Sequence, residues 1–310
     1  MIAPFLSVAD LDRMRADAAH GSADTAHRPA DTAPRVVVVD TRWYLDGRSG
    51  ADAYAQGHLP GAVFVDLDTV LAAPPSAAAG RHPLPEPEVF ARGLEAAGIG
   101  DDDTVVVYDD AGGVIAARLV WMLRALGQSA AVLDGGLAAW QSTHPEQPLE
   151  VGAVASGTPA ASVGAGAGDG RRASRTVRSW PAAALATIDE TQAAAADGTA
   201  LVLDARTADR YRGDTEPVDA RPGHIPGAQS LSCRDNVAAD GTLLDTATLR
   251  ERLAALGADR LPVISYCGSG VTACHTLLVL EQVGLPAGRL YPGSWSQYAA
   301  DPQRPAATGE

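Results

Sequence analysis

Four short motifs occur twice in this chain, in the same order and about 160 residues apart. The plainest pair is GHLPGA at residues 57–62 and GHIPGA at residues 223–228. The other pairs are RVVVVDTRW with TALVLDART, TVVVYDDAGG with LPVISYCGSG, and LDGGLAAW with LYPGSWSQY. A repeat of this length predicts a tandem duplication, in which each half builds its own hydrophobic core.

Each half alternates short runs of Val and Ile with apolar segments of helical period. In the first half, for example, TVVVY at residues 104–108 precedes VIAARLVWMLRAL at residues 114–126. Uninterrupted apolar runs are typical of strands buried on both faces, and their alternation with helices is typical of parallel α/β units. The sequence therefore predicts an α/β fold with a mainly parallel sheet flanked by helices in each half.

A change in composition predicts where the halves meet. Residues 151–175 are rich in Gly, Ala and Ser and lack periodicity, which is typical of a linker. We therefore expect an N-terminal domain over residues 1–150 and a C-terminal domain over residues 176–310.

Composition excludes several functions. The 310 residues carry a formal net charge of -14, which disfavours nucleic acid as a partner, and all 24 basic residues are Arg, which excludes lysine chemistry. No segment approaches ~18 uninterrupted apolar residues and no signal-peptide pattern is present, so we expect a cytoplasmic protein without a membrane partner. Three cysteines are too few for a disulfide framework, and no His/Cys cluster has the spacing of metal ligands.

The sharpest local signal is YCGSGVTA at residues 266–273, between a buried strand and a helix. This arrangement directs backbone N–H groups and the positive end of a helix dipole at one point, where the thiol of Cys267 would ionise readily and act as a nucleophile. A free cysteine is more often buried and inert, but Gly268 and Gly270 favour a functional loop. The matching residue of the first half is Asp109, so we expect only the second half to be catalytic.

This loop, the GHIPGA box, RYRGDTEP at residues 210–217 and PGSWSQY at residues 292–298 together resemble the two-domain rhodanese family. The loop is similar in particular to that of the 3-mercaptopyruvate sulfurtransferases. The resemblance implies that Cys267 takes the sulfur of 3-mercaptopyruvate as a persulfide, releasing pyruvate. It implies further that the sulfur passes to a thioredoxin-like protein, a small thiol or cyanide, without a cofactor.

Other functions compete with this one. Thiosulfate-using members of the family resemble this chain in fold but carry Arg and Lys directly after the nucleophile, where this chain has Gly268 and Ser269. A neutral loop favours a monoanionic keto-thiol over a dianion, so mercaptopyruvate is the expected donor and thiosulfate the alternative. A non-catalytic sulfide-sensing or interaction protein is disfavoured by Cys267 and Arg210, and a Cys-x5-Arg phosphatase by Ala273.

The resemblance also assigns residues that bind the donor. Arg210 and, by a looser alignment, Arg221 match arginines that bind the carboxylate and carbonyl of mercaptopyruvate, a task that suits a planar guanidinium. The sulfur charge is expected to be stabilised by the backbone amides of the loop. These amides belong to Gly268, Gly270, Val271 and Thr272.

A proton relay is implied as well. Ser269, His82 and Asp68 match a Ser-His-Asp arrangement that could move the thiol proton of the donor. A surface-loop histidine beside a proline is the alternative for His82. We expect the two other cysteines, Cys233 and Cys274, to be core residues.

Overall fold

The computed structural model describes residues 1–21, 35–152 and 173–310, which form two compact units. The first unit comprises Met1–Leu71, Glu86–Ser179 and Asp240–Thr242. The second comprises Ala72–Pro85, Trp180–Ala239 and Leu243–Glu310.

The first unit is built on a five-stranded sheet with the order β1-β5-β4-β2-β3, in which the paired strands run parallel. Its strands are β1 (Phe5–Leu6), β2 (Val36–Asp40), β3 (Val63–Phe64), β4 (Thr104–Tyr108) and β5 (Ala130–Leu133). Its helices are α1 (Val8–Gly21), α2 (Gly50–Gln56), α3 (Leu67–Val70), α4 (Pro87–Ala96), α5 (Ala116–Ala125) and α6 (Gly136–Thr143).

The second unit has a four-stranded parallel sheet with the order β7-β6-β8-β9. Its strands are β6 (Leu201–Asp204), β7 (Gln229–Ser230), β8 (Val263–Tyr266) and β9 (Arg289–Leu290). Its helices are α7 (Ile188–Asp197), α8 (Ala208–Arg212), α9 (Thr246–Leu256), α10 (Ala273–Gln282) and α11 (Ser294–Ala300). The predicted fold class, two α/β halves with parallel sheets, is confirmed.

The buried apolar runs account for both sheets. Every residue of β8 and β5 is buried, as are the last four of the five residues of β4, so these strands meet apolar side chains on both faces. In the second unit the core joins Tyr266 at the end of β8 to Trp295 and Tyr298 of α11. This packing fixes the end of β8, where Cys267 follows, against the start of α11.

The duplicated GHxPGA boxes have the same structure in both units. The Nδ1 atom of His58 lies 2.8 Å from the carbonyl oxygen of Tyr54, and that of His224 lies 2.8 Å from the carbonyl oxygen of Tyr211. Each imidazole stacks on the same tyrosine with ring centroids 3.7 Å apart. Because the unit without Cys267 has the same arrangement, these histidines hold a turn.

The predicted domain boundaries differ from the observed units in one segment that matters for the site. Residues 72–85 belong to the second unit because they contact the start of α11. The backbone N–H of Arg81 donates to Ser296 Oγ at 2.9 Å, and Gln297 Nε2 donates to the carbonyl oxygen of Ala78 at 2.6 Å. Gly80 lies so close to the backbone of Gly293 that a Cβ at position 80 would be 2.5 Å from the carbonyl oxygen of Gly293.

Most of the predicted linker, residues 153–172, lies outside the described residues. The residues that follow, up to Ser179, still belong to the first unit. There the N–H of Thr176 donates to a carboxylate oxygen of Asp101 at 3.0 Å. None of the helices in the described ranges is long and apolar enough to cross a membrane.

Candidate active site

The thiol of Cys267 lies directly after β8 and is 2% exposed. The backbone N–H of Gly270 donates to its Sγ at 3.1 Å. Gly270 has a φ of 78°, and a Cβ there would lie 2.5 Å from the carbonyl oxygen of Pro292. Only glycine fits both the left-handed backbone and this close approach, so Gly270 permits the turn that presents an amide to the sulfur.

The PGSWSQY segment holds the cysteine loop in place. The N–H of Cys267 donates to Ser294 Oγ at 3.1 Å, and the N–H groups of Trp295 and Ser296 donate to the carbonyl oxygens of Cys267 and Gly268 at 2.9 and 2.8 Å. Ser294 adopts a φ of 53°, a conformation that a non-glycine residue keeps only where the surroundings enforce it. The sequence did not single out Ser294, although it stands inside a motif that carried the family resemblance.

The first unit shows what this loop geometry binds. The buried carboxylate of Asp109, at the position that matches Cys267, accepts hydrogen bonds of 2.8 to 2.9 Å from four backbone N–H groups. These groups belong to Ala111, Gly113, Ile115 and Ala116. The strand-loop-helix connection of this fold is therefore an anion-binding nest, and the first unit fills its nest with its own carboxylate.

In the second unit fewer backbone amides of the loop donate to the side chain of Cys267 than donate to Asp109 in the first unit. Among the described residues, the hydrogen bond to Cys267 Sγ comes from Gly270. Val271 and Thr272 lie at the start of α10, where their carbonyl oxygens accept from the N–H groups of Cys274 and His275. Roles for the amides of Gly268, Val271 and Thr272 stay predictions.

His82 and Ser269 come together in the second unit. The Nδ1 atom of His82 lies 2.7 Å from Ser269 Oγ, and both side chains are buried. The surface-loop alternative for His82 is therefore wrong, because the 72–85 segment that carries it packs against α11. Asp68 belongs to the first unit, where its carboxylate accepts a hydrogen bond of 3.0 Å from Trp43 Nε1, and its part in a relay stays a prediction.

Arg210 lies at the cysteine loop, as its predicted role requires. Its Nη2 atom donates to Glu216 Oε1 at 2.6 Å and to Asp219 Oδ2 at 3.0 Å. A Cβ placed on Gly268 would lie 3.5 Å from Arg210 Nη1. The guanidinium is thus held by two carboxylates, with one nitrogen beside Gly268, the residue that follows Cys267.

Arg221 is engaged with the backbone, and its predicted role in binding the substrate stays a prediction. Its guanidinium donates to four backbone carbonyl oxygens at and after the end of α11, those of Tyr298, Ala299, Asp301 and Arg304. A cation there satisfies carbonyl groups that a helix end leaves without partners. Arg221 therefore holds the C-terminal segment.

Arg81 is the residue that the sequence prediction missed. Its Nη1 atom contacts Asp219 Oδ1, and its Nη2 atom would lie 3.0 Å from a Cβ on Gly268. The sequence held one indication of a role for Arg81, namely that it directly precedes His82. Two neighbouring residues on one loop can both reach the same site. The loop after Cys267 carries no charge itself, yet the folded chain brings two guanidiniums to it.

The pKa values of the carboxylates beside these arginines depend on both burial and the neighbouring charges. Burial raises the pKa of Asp219, and Glu216 adds to that rise while Arg81 opposes it. Burial alone would raise the pKa of Glu216 too, but hydrogen bonds from Arg210 and from backbone N–H groups lower it below its usual range.

A surface cleft of about 260 Å³ adjoins Arg81 in the second unit. Its lining residues are Pro75, Ser76, Ala77, Gly80, Arg81 and Ser296. Since the N–H of Ser296 donates to the carbonyl oxygen of Gly268, the cleft lies beside the loop that carries Cys267.

The other two cysteines lie in the core, as predicted. Burial raises the pKa of Cys233 to about 12, so its thiol is protonated at neutral pH and a poor nucleophile. Cys274 is fully buried, and its thiol donates to the carbonyl oxygen of Gly270 at 3.3 Å. The described ranges contain no group of three or more His, Cys, Asp or Glu side chains arranged to hold a metal ion.

Comparison with known proteins points to one family. One relative is a probable 3-mercaptopyruvate sulfurtransferase of Pseudomonas aeruginosa, which is 42% identical over 289 residues; the match covers 89% of this chain and 94% of that protein. Another is a putative thiosulfate sulfurtransferase, SseB, of Mycobacterium tuberculosis, which is 40% identical over 276 residues; the match covers 88% of this chain and 91% of that protein. The chain is also similar to the solved structure of SseA from Escherichia coli, described as a 3-mercaptopyruvate sulfotransferase with the rhodanese fold. That match has a TM-score of 0.70 and 29% identity, and it covers 95% of this chain and 99% of that one. The model of the rhodanese-like domain matches residues 22–143 and again residues 187–301. The chain therefore belongs to the rhodanese-like family and contains two copies of its domain.

Proposed function

We propose that this protein is a sulfurtransferase that moves the sulfur of 3-mercaptopyruvate through a persulfide on Cys267 to a thiol or cyanide. The observation that carries the proposal is the position of the Cys267 thiol. It accepts an amide hydrogen bond from Gly270, in a loop where the buried His82–Ser269 pair and the guanidinium of Arg210 also lie. The names of the relatives, which include both mercaptopyruvate and thiosulfate enzymes, support the same class of reaction.

In the first half-reaction Arg210 binds the donor carboxylate and the Cys267 thiolate attacks the donor sulfur. The carbon–sulfur bond breaks, and its electron pair leaves with pyruvate as the enolate. The proton that was on the donor sulfur passes through Ser269 and His82 to the enolate carbon, which gives pyruvate and the persulfide anion on Cys267. The loop amides, including those of Gly268, Val271 and Thr272, stabilise the charge on the outer sulfur.

In the second half-reaction an acceptor thiolate attacks the outer sulfur. A new sulfur–sulfur bond forms on the acceptor, the bond to Cys267 breaks, and the enzyme regains its thiolate. Cyanide would give thiocyanate by the same displacement. A thioredoxin-like protein or a small thiol as the natural acceptor, and a cytoplasmic location, stay predictions.

The test is to load the enzyme with mercaptopyruvate without an acceptor and to locate the added sulfur by peptide mass spectrometry. We expect it on the peptide that contains Cys267, with release of one pyruvate per persulfide. Steady-state rates at matched cyanide concentration should then favour mercaptopyruvate over thiosulfate. Added sulfur on a peptide without Cys267 would contradict the proposal.

Thiosulfate is the second candidate donor, and one observation favours it. The preference for mercaptopyruvate was predicted from Gly268 and Ser269, the two uncharged residues that follow Cys267 in the sequence. Arg81 places a cation beside Gly268 from a different segment. The donor comparison decides between the two candidates, since both use the same persulfide.

Arg210→Lys should lower kcat/KM for mercaptopyruvate by about tenfold or more, since a point charge cannot replace a guanidinium fork and a charge-assisted hydrogen bond contributes ~1.5 to 3 kcal/mol. The matched control is Arg212→Lys on the same helix. Arg212 pairs with Asp214 at the protein surface, and its exchange should leave kcat/KM within about twofold. Equal kinetics of Arg210→Lys and wild type would remove Arg210 from the donor site.

A further inference from the structure

The His82–Ser269 pair joins two stretches of chain that are 187 residues apart in the sequence, and one helix residue contacts both of them. Ser296, in α11, donates its backbone N–H to the carbonyl oxygen of Gly268 at 2.8 Å. Its hydroxyl accepts the backbone N–H of Arg81 at 2.9 Å. Each of these two partners directly precedes one member of the pair in the sequence. Ser296 therefore fixes the distance between the two backbones that carry the pair.

The next residue of α11 holds the 72–85 segment at a second point. Gln297 Nε2 donates to the carbonyl oxygen of Ala78 at 2.6 Å. Ala78 stands in a turn closed by two hydrogen bonds between the backbones of Ser76 and Gly80, at 3.0 and 2.8 Å. The turn that precedes His82 is thus fixed to α11, so the imidazole approaches its partner hydroxyl from a fixed direction.

The side-chain amide of Gln297 is itself held in orientation by Tyr291. The Tyr291 hydroxyl lies 2.8 Å from Gln297 Oε1. Burial raises the pKa of Tyr291 above its usual value, so the phenol stays protonated and donates this bond, which leaves Nε2 to face Ala78. The backbone N–H of Tyr291 donates to the carbonyl oxygen of Ser265 in β8 at 3.0 Å. The strand that leads to Cys267 therefore also anchors the residue that orients Gln297.

Gly293 accommodates both contacts from α11. A Cβ at position 293 would overlap Gln297 Oε1, so a residue without a side chain leaves the space that the amide needs. The Ser296 hydroxyl donates to the carbonyl oxygen of Gly293 at 3.0 Å, so its oxygen is left to accept from Arg81. The start of α11 is thus shaped around the two side chains that hold the 72–85 segment.

The helix in the matching place of the first unit cannot make these contacts. In α6 and in α11 the backbone N–H of the second helical residue donates to the carbonyl oxygen of Asp109 and of Cys267, respectively, which aligns the two helices. The next two residues of α11 are Ser296 and Gln297, where α6 has two alanines. These are Ala138 and Ala139. An alanine side chain has no hydrogen-bonding group, so the contacts belong to the unit that carries Cys267.

We propose that Ser296 and Gln297 are positioning residues, which hold the 72–85 segment so that His82 and Ser269 can transfer the proton of a donor thiol. This inference rests on the proposed function. Neither residue takes part in a step of the reaction, because each acts through the position of His82.

The experiment measures kcat and KM with mercaptopyruvate and with thiosulfate in Ser296→Ala and in Gln297→Ala. We expect each variant to lower kcat for mercaptopyruvate by about tenfold and kcat for thiosulfate by less than about twofold, because thiosulfate has no thiol proton to transfer. A general disturbance of the cleft would instead raise KM for both donors.

The matched control is Tyr298→Phe on the same helix. The Tyr298 hydroxyl donates to the carbonyl oxygen of Pro305 at 2.9 Å, which lies in the C-terminal segment and not in the segment that carries His82. Both kcat values of this variant should stay within about twofold of wild type, since a change without a shared partner acts independently.

His82→Gln supplies a second test. In that background Ser296→Ala and Gln297→Ala should change kcat for mercaptopyruvate by no more than about twofold, since no proton transfer is left to position. Tyr291→Phe keeps the buried ring and removes the hydroxyl, so it carries the test where an α11 variant fails to fold. It should lower kcat for mercaptopyruvate by about threefold in wild type and have no further effect in His82→Gln.

The outcomes separate this inference from the proposed function. If wild type forms no persulfide on Cys267 with either donor, both are overturned. If wild type forms the persulfide but the α11 variants keep the wild-type kcat, lower it equally for both donors, or cause the same loss in the His82→Gln background, the inference alone is overturned. Ser296 and Gln297 would then only stabilise the fold around the cleft.

Discussion

Cys267→Ser is expected to lower the rate of sulfur transfer by roughly 10⁴-fold or more, because a serine hydroxyl stays protonated in this loop and cannot carry a persulfide. The loss should affect mercaptopyruvate and thiosulfate alike, since both donors depend on the same sulfur atom. The measurement is pyruvate release and thiocyanate formation, together with the mass of the intact protein after donor treatment.

Cys274→Ser and Cys233→Ser are the matched controls and should retain most of the activity. Cys274 donates its thiol hydrogen to the carbonyl oxygen of Gly270, a bond that a serine hydroxyl can also make. Cys233 has a pKa raised to about 12 by burial and holds no thiolate at neutral pH. Persulfide on the Cys267→Ser protein, or loss of activity in folded Cys233→Ser equal to that in Cys267→Ser, would overturn the assignment of the nucleophile.

His82→Gln should lower kcat for mercaptopyruvate by about 10²-fold or more, which is the usual contribution of a positioned acid or base. The amide of Gln can still hydrogen bond to Ser269 Oγ, so the variant removes proton transfer and keeps the contact of 2.7 Å. Thiosulfate carries no thiol proton, and its turnover should fall far less. Ser269→Ala should show the same selective loss, because it breaks the connection to His82.

The control for this prediction is His144→Gln, since His144 lies in the first unit and stacks on Trp140. Its kinetics should match wild type with both donors. An equal loss with mercaptopyruvate and thiosulfate in His82→Gln would mean that the His82–Ser269 pair positions the loop and transfers no proton.

The sheets and the loop that carries Cys267 were predictable because they depend on local patterns. The apolar run at residues 104–108 became β4, and the strand-loop-helix pattern around Cys267 formed as expected, because period, glycine placement and chain direction act over a few residues. The duplicated motifs also predicted that Asp109 and Cys267 occupy equivalent places. The carboxylate of Asp109 accepts hydrogen bonds from four backbone N–H groups, which shows why this loop position favours an anion.

The charged residues of the site were less predictable, because a guanidinium reaches partners that are distant in sequence. The sequence by itself determined the two α/β halves and, through its loop pattern and family resemblance, pointed to Cys267, His82, Ser269 and Arg210 as candidate site residues. Only the tertiary structure decided that Arg221 binds carbonyl oxygens near the C-terminus and that Arg81 lies beside Gly268 and shares Asp219 with Arg210. The physical reason is that hydrophobic period and backbone geometry are local, whereas the choice of an ion-pair partner depends on which side chains packing brings within a few ångströms.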